Sequence, residues 1–473
     1  MKSLSGRALK APGKEAWGLV AAIAIVAVSC LVPGSAALTH EGATSLGLLF
    51  GAVALWCCGT FPLGVTGVLT LVAATALGVA EPSQAFTGFA STTFVYVIGI
   101  FALPAVLLKT SWGTRLVNVV FKLTGPSSSR LVLAFMIATA LVSTIMTDTP
   151  AMVVMMGPAY VVLKAIGARP GQSRLGKALF IAIPFAAIIG GISTPAGSTS
   201  NVAAMGMLQE LTGTAIPFLG WAIVGVPLVI ILVPVFWLSI VAILKPEPLE
   251  QQIIDALERE VVGAGTPTTY EKKVLAMLFL IPGLWIAGNW IPLLSIANVS
   301  IAGLAVMMAP GMRLLDFDEF QKAVPWNVVL MVGSVLSLGS ILATTGGAAF
   351  LADLFMGCGI LALDFTLIMV LSSLIIYTFH TFCPIGPAAI GLFLPLLAGV
   401  CMQFGVSPTS SAILLSFIVA GNFLLPINPT LTVTYSTGYY TFGDMAKVGI
   451  APTVASLVIA SLWVPLAVGL TGI

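Results

Sequence analysis

Long apolar runs separated by short polar stretches dominate the pattern of the chain. Runs that could cross a bilayer as helices of roughly 20 residues lie at 16–33, 43–60, 64–80, 90–108, 222–244, 274–293, 365–379 and 448–470. A soluble core needs no such series of long runs, whereas a multi-pass membrane protein does. With the shorter apolar runs between them, the pattern predicts an all-α integral membrane protein with about 11 transmembrane helices.

The two halves of the chain also repeat each other. Segments 89–120 and 323–355 share an aromatic start, a glycine-bearing span and a Thr-x-Gly-type end. Further on, four polar motifs interrupt the apolar runs in matching order: "TDTPAM" (147–152) and "TFCPIG" (381–386), then "STPAGSTSN" (193–201) and "LLPINPTLT" (424–432). The first threonine of the earlier motif precedes the first proline of the later one by 48 residues in one half and 45 in the other. The chain therefore contains an internal repeat.

The four motifs predict broken helices. Backbone groups freed by Pro, Gly, Ser, Thr and Asn are tolerated inside a membrane only where they line a cavity. Breaks at matching positions of two halves point to a transporter binding site. Apolar runs of only about 15 residues flank the first motif of each half, which is too short for a full crossing. We predict re-entrant hairpins with tips at 147–150 and 381–387, and broken helices at 193–201 and 424–432.

Composition and charge agree with a membrane protein. Hydrophobic residues make up 59% of the chain and charged residues 8%, and the mean hydropathy is +1.11. Four basic residues before the first span predict a cytoplasmic N-terminus, and the uncharged tail predicts an outside C-terminus. These basic residues are Lys2, Arg7, Lys10 and Lys14. The net charge of +2 gives no indication of a nucleic-acid partner.

The residue types exclude most catalytic chemistry. Two histidines and six scattered cysteines, with no CxxC or His-x-x-x-His spacing, predict no zinc site, haem attachment or disulfide framework. Paired acids and Ser/His/Asp sets are also missing from the motifs. We expect a protein that is not an enzyme and has no organic cofactor.

The motifs supply hydroxyl and amide groups but no lysine or arginine. A buried anion would therefore be compensated by bound cations, by helix N-termini and by uncharged donors. We expect a substrate site built from Thr147, Asp148, Thr149, Thr194, Pro195, Ser198, Thr199, Asn201, Thr381, Cys383, Asn428, Pro429 and Thr430.

Asp148 is the most informative single residue. A carboxylate within a membrane is expensive and indicates a functional role, so we expect Asp148 to bind a cation or to carry a coupling proton. His380, next to the second hairpin motif, is a second candidate for a coupling proton because histidine titrates near neutral pH.

At these motifs the sequence resembles the divalent anion/sodium symporter family of dicarboxylate, citrate and sulfate carriers. The resemblance extends from about residue 45 to 465 and includes "GGISTPAGSTSN" and "YYTFGDMAKVGIAPT" (439–453). It implies inverted repeats, a scaffold domain that forms a homodimer in the lipid bilayer, and a transport domain that moves as an elevator. It also implies that sodium accompanies the substrate.

The resemblance also implies cation ligands. The family's hairpin motif is Ser-Asn-Thr, which here becomes Thr147-Asp148-Thr149 in the first half. The residues that match the family's first sodium site are Ser143, Thr147, Asp148 and Gly197. In the second half the motif is Thr381-Phe382-Cys383. This loss of the amide weakens the expectation of a second sodium site at Thr381 and Asn428.

The division into domains follows from the repeat and the resemblance. A mixed-charge cytoplasmic linker at 246–273 separates the first repeat, 1–245, from the second, 274–473. The scaffold spans are expected at 16–120 and 274–355, and the transport parts at 131–245 and 365–473.

Three functions fit these patterns. The first is a bacterial cell-membrane carrier that couples a C4-dicarboxylate, such as succinate, fumarate or malate, to sodium. The second is a dicarboxylate exchanger not driven by sodium, which the altered second motif favours; sulfate, sulfonates, tartrate and citrate are alternative substrates. The third is an ion channel, which would not need four broken helices around one site.

Overall fold

The computed structural model describes residues 13–124, 127–248, 259, 265–357 and 362–473. Every regular element in these ranges is a helix. Most of the linker expected at 246–273 lies outside the described residues, as do Lys2, Arg7 and Lys10.

The helices are numbered here in chain order. The first half contains α1 (Lys14–Leu31), α2 (His40–Cys58), α3 (Leu63–Ala76), α4 (Pro82–Ala85), α5 (Thr92–Ile100), α6 (Ala102–Leu107), α7 (Trp112–Thr124), α8 (Ser128–Ser143), α9 (Asp148–Ala165), α10 (Arg174–Gly191), α11 (Thr199–Thr212) and α12 (Phe218–Leu244). The second half contains α13 (Thr269–Ala287), α14 (Ile296–Met308), α15 (Phe317–Ala323), α16 (Trp326–Thr344), α17 (Gly347–Gly357), α18 (Phe365–Phe382), α19 (Gly386–Gln403), α20 (Thr409–Ala420), α21 (Pro429–Tyr435) and α22 (Phe442–Thr471).

Many of these helices can span a bilayer. In the described ranges, eight helices are long and apolar enough by length and composition, and a bent pair, α5–α6 with α7, brings the number to nine. Five further apolar helices have 10–17 residues. The predicted all-α, multi-pass membrane architecture is confirmed.

Two helical hairpins interrupt the long spans. Residues 144–147 connect α8 to α9, and residues 383–385 connect α18 to α19. The first break is as long as the expected tip at 147–150 but begins three residues earlier, and the second break is shorter than the expected tip at 381–387. The difference arises because proline fits the first turn of a helix, so Pro150 and Pro387 belong to the first turns of α9 and α19.

Two broken helices complete the pattern. Residues 192–198 separate α10 from α11 and include a short 3-10 turn, Pro195–Gly197. Residues 421–428 separate α20 from α21. Both breaks overlap the segments expected at 193–201 and 424–432. Each break and each hairpin begins a new helix whose first backbone N–H groups have no partner within that helix.

Most helices are grouped here into two bodies by their contacts, and α7, which packs on α8 and α9, is in neither. In the hairpin body, defined as α8–α12 with α18–α22, α10 packs on both arms of the first hairpin and α11 packs on α19 and α20. In the outer body, defined as α1–α6 with α13–α17, α3 packs on α16 and α5 on α14. The two bodies contact each other where α11 meets α16 and where α17 meets α19.

Glu271, before the apolar part of α13, joins the two halves. Its carboxylate accepts hydrogen bonds from the Ser111 hydroxyl (2.6 Å), the Ser111 backbone N–H (2.9 Å) and the Thr268 backbone N–H (2.9 Å). The bonds from Ser111, followed by those from Thr268, lower the pKa of Glu271 to about 2. The ionised carboxylate therefore holds the start of α13 against the start of α7.

We expect Glu271→Gln to lower the apparent unfolding temperature at pH 7, because a hydrogen bond to a charged group stabilises by roughly 1.5 to 3 kcal/mol. The folded-state pKa lies below the ordinary value of about 4.3, so this stabilisation is present above pH 4 and is lost as the pH falls towards 2. Thermal unfolding in detergent across this pH range measures the difference in unfolding temperature between Glu271→Gln and the parent protein, which is expected to narrow as the pH falls. Glu210→Gln, at an exposed position, is the control. A difference in unfolding temperature between Glu271→Gln and the parent protein that is the same at pH 7 and pH 3 would contradict the role of the Glu271 carboxylate.

Candidate functional site

A cavity of about 410 Å³ lies where the hairpin body meets the outer body. On the hairpin side it is lined by the first turns of α9, α11, α19 and α21. On the outer side its lining is almost entirely apolar and consists of Leu63, Phe101, Ala323, Pro325, Val328 and Met331. One wall is therefore rich in polar helix starts, and the opposite wall offers few groups that could hold a ligand.

Many of the predicted substrate residues meet at the polar wall. They are Thr147, Asp148, Thr149, Ser198, Thr199, Asn428, Pro429 and Thr430. The hydroxyls of Thr149 and Thr430 are 2.7 Å apart and join the first hairpin to the second broken helix. Among the described lining residues there is no lysine or arginine. Anion binding at this wall would therefore rest on hydroxyls and on the partial positive charge of helix N-termini.

A second set of predicted residues lies behind this wall. Asn201 is fully buried, and its Nδ2 donates hydrogen bonds to the carbonyl oxygens of Gly191 and Thr194, each at 2.8 Å. The Thr194 hydroxyl donates to the Thr144 carbonyl, and the Ser143 hydroxyl donates to the Ala187 carbonyl at 2.6 Å. These bonds fix the first hairpin tip against the α10–α11 break. Pro195 and Gly197 are buried within the same break.

Buried oxygen atoms without a hydrogen-bond partner lie beside this break. Oδ1 of Asp148 and Oδ1 of Asn201 are buried and have no hydrogen-bond partner among the described residues. A Cβ atom added to Gly191 would overlap Asp148 Oδ1 and would lie 2.7 Å from the Gly197 carbonyl oxygen. Buried polar atoms normally have partners. A carboxylate, an amide oxygen and a carbonyl of an unwound helix are suitable ligands for a cation such as sodium.

The second half lacks a matching arrangement at its predicted cation residues. The Thr381 hydroxyl donates to the Tyr377 carbonyl of its own helix at 2.9 Å, and Thr381 does not line the cavity. Asn428 Oδ1 accepts from the Thr430 N–H at 2.9 Å, and its Nδ2 donates to the Ala420 carbonyl. Both side chains are therefore used to shape the local backbone.

Cys383 forms a disulfide with Cys57 and does not line the cavity. The expectation that the cysteines form no disulfide is wrong for this pair. The two residues are 326 positions apart in the sequence, so spacing could not reveal their contact.

His380, a proton candidate, lines the cavity and is 2% exposed. Its Nδ1 has no hydrogen-bond partner in the described part of the chain. The imidazole lies on the same cavity as Asp148, so the two proton candidates share one site.

Some lining residues were missed from the sequence. The apolar wall carries no polar side chain, and neither does Gly191, which is outside the cavity lining, so their residue types did not predict a role in binding. Ala323 and Pro325 do lie at the start of the repeated segment 323–355, and that repeat was the available signal.

A cavity built by discontinuous helices from two repeated halves is the binding-site architecture of secondary transporters. Residues 13–468 match the family described as "Sodium:sulfate symporter transmembrane region". The chain belongs to this family, which confirms the resemblance found in the sequence, and it is a transporter and not an enzyme.

Similar proteins cover nearly the whole chain. A membrane protein of Cupriavidus necator is 25% identical over 93% of this chain and 89% of its own length. A protein of Staphylococcus saprophyticus named sodium-dependent dicarboxylate transporter SdcS is 25% identical over 90% of this chain and 86% of its own. The solved YdaH transporter of Alcanivorax borkumensis has the same fold, with a TM-score of 0.55, 13% identity and coverage of 91% of this chain and 99% of its own.

We expect Gly191→Ala to reduce stability by roughly 1 to 3 kcal/mol, because the added methyl group would overlap Asp148 Oδ1 and the Gly197 carbonyl oxygen. Gly157→Ala, in α9, is the matched control, since an added Cβ meets nothing within 4 Å there. Thermal unfolding of the two variants beside the parent protein measures the difference. Equal unfolding temperatures for Gly191→Ala and the parent protein would show that the close contact of residue 191 with Asp148 and Gly197 does not require glycine.

Proposed function

We propose that this chain is a sodium-coupled carrier of small divalent organic anions, with C4-dicarboxylates such as succinate, fumarate and malate as substrates. The observation that carries the proposal is the cavity wall itself. It presents helix N-termini and hydroxyls with no lysine or arginine among the described lining residues, beside buried oxygens that suit a cation. The names of the Staphylococcus relatives support the same substrate and ion.

The charge balance explains the coupling. Transferring an uncompensated dianion into a cavity of low dielectric is prohibitively unfavourable, and each helix N-terminus contributes only about half a positive charge. An ionised Asp148 would add negative charge to the same wall. A sodium ion held by Asp148, Asn201 and the Gly197 carbonyl would offset this charge, so the anion would bind well only together with sodium.

The route across the membrane would be a movement of the hairpin body along the outer body. The apolar wall supports this proposal, because Leu63, Val328 and Met331 offer few polar bonds that a sliding surface would have to break. We further propose that the outer body forms a homodimer in the bacterial cell membrane and that the N-terminus is cytoplasmic.

Exchange of dicarboxylates without net sodium is the second candidate. It is favoured by the second half, where the hydrogen bonds of Thr381 and Asn428 are all directed to nearby backbone. Sulfate, sulfonates, tartrate and citrate remain competing substrates to be tested on the same site.

Purified protein in liposomes distinguishes these candidates. We expect an inward sodium gradient to drive uptake of labelled succinate, whereas a choline gradient does not. Uptake that is independent of sodium and requires internal dicarboxylate would reject the symport proposal and support exchange. Competition of sulfate, tartrate and citrate with labelled succinate, each at equal concentration, measures which anion the site prefers.

We expect Asp148→Asn to abolish or strongly weaken the dependence of uptake on sodium, because the variant removes the charged oxygen from the proposed cation site. The measurement is the initial rate of uptake against sodium concentration. Asp353→Asn is the control, since this carboxylate is exposed and outside the cavity lining. An unchanged sodium dependence in a folded Asp148→Asn protein would remove Asp148 from the coupling site.

A further inference from the structure

A disulfide joins two distant parts of the chain beside the cavity. Cys57 lies in the last turn of α2, and Cys383 directly follows α18 at the second hairpin tip. Their Cα atoms are 5.0 Å apart, within the usual range for a disulfide. Cys383 is 1% exposed, whereas Cys57 is partly exposed.

This bond connects the two bodies of the fold. Helix α2 packs on α1 and α3 in the outer body, whereas the second hairpin belongs to the hairpin body. Pro384 and Ile385, which follow Cys383, line the cavity. The covalent bond therefore ties one edge of the cavity to the opposite body, and no displacement of the tip by more than a few ångströms is compatible with it.

We propose that Cys57 and Cys383 form a reversible redox lock, in which oxidation fixes the hairpin body against the outer body and stops transport. This inference rests on the proposed function, in which the hairpin body moves during transport. With both thiols reduced the two bodies are free to separate, and with the bond formed the carrier is held in the arrangement described above.

The chemistry requires an oxidant, which we assign to the class of small-molecule disulfides. The thiolate of Cys57, the more exposed of the two, attacks one sulfur of the oxidant and releases a small thiolate. The thiolate of Cys383 then attacks Cys57 Sγ in the mixed disulfide and releases a second small thiolate. The two cysteine protons pass to the released thiolates, so two cysteines are oxidised and one small disulfide is reduced.

The position of Cys57 indicates which compartment would control the lock. Thr60, three residues further on, donates a hydrogen bond to the carbonyl of Glu15 in the first turn of α1 at 3.0 Å. The pair therefore lies near the N-terminal end of α1, the side we propose to be cytoplasmic. Cytoplasmic thiols are kept reduced, so the bond would form under oxidising conditions and would inhibit uptake only then.

The test uses the full chain in liposomes, treated with oxidised glutathione and then with dithiothreitol. Peptide mapping of the oxidised protein is expected to show the Cys57–Cys383 bond. Uptake of succinate is expected to fall to the protein-free background on oxidation and to recover on reduction. Cys57→Ser is expected to remain active in oxidant, and Cys58→Ser, at the neighbouring free cysteine, is expected to behave like the parent protein.

Two results would overturn the lock: peptide mapping without this bond, or full uptake by protein in which the bond is formed. If the reduced protein carries no dicarboxylate under any gradient, the proposed function fails separately. The lock is then decided by hydrogen exchange at the second hairpin tip, which is expected to be slower in oxidised than in reduced protein. Equal exchange rates in the two forms would reject it.

Discussion

Backbone groups at the helix breaks must find partners inside an apolar body, and the rest of the structure depends on this constraint. The first turns of α9, α11, α19 and α21 line one cavity, where backbone N–H groups buried without partners would be costly. Part of the requirement is met by side chains, as when Asn428 accepts from the Thr430 N–H. In the proposed function, the N–H groups that remain without partners would favour an anion in the cavity.

The same breaks also leave buried side-chain oxygens without hydrogen-bond partners. Gly191 allows the Asp148 carboxylate and the Gly197 carbonyl to lie close to the backbone of residue 191, because a side chain at this position would overlap both groups. Asn201 Nδ2 donates hydrogen bonds to the carbonyls of Gly191 and Thr194, and Asn201 Oδ1 has no partner among the described residues. In the proposed carrier, a cation at these oxygens and an anion at the polar wall would offset each other's charge.

The sequence predicted the features that depend on local chemistry. Proline and hydroxyl motifs located both hairpins and both broken helices, and eight of the predicted substrate residues line the cavity. It could not predict contacts between distant segments, such as the Cys57–Cys383 bond or the apolar wall at Leu63, because nothing in their local pattern distinguishes them from ordinary membrane residues. The observed helix starts also differ from the predicted ones, because Pro150 and Pro387 fit within the first turns of α9 and α19.

We propose that cation and anion bind to this protein as a charge-balanced pair. If this is correct, their affinities are reciprocally coupled, and each ligand stabilises the folded protein more in the presence of the other. The most direct measurement is thermal unfolding of purified protein with succinate, in sodium and in choline buffers of equal ionic strength. We predict a rise in unfolding temperature with succinate only in sodium, and an equal rise in choline would contradict the account.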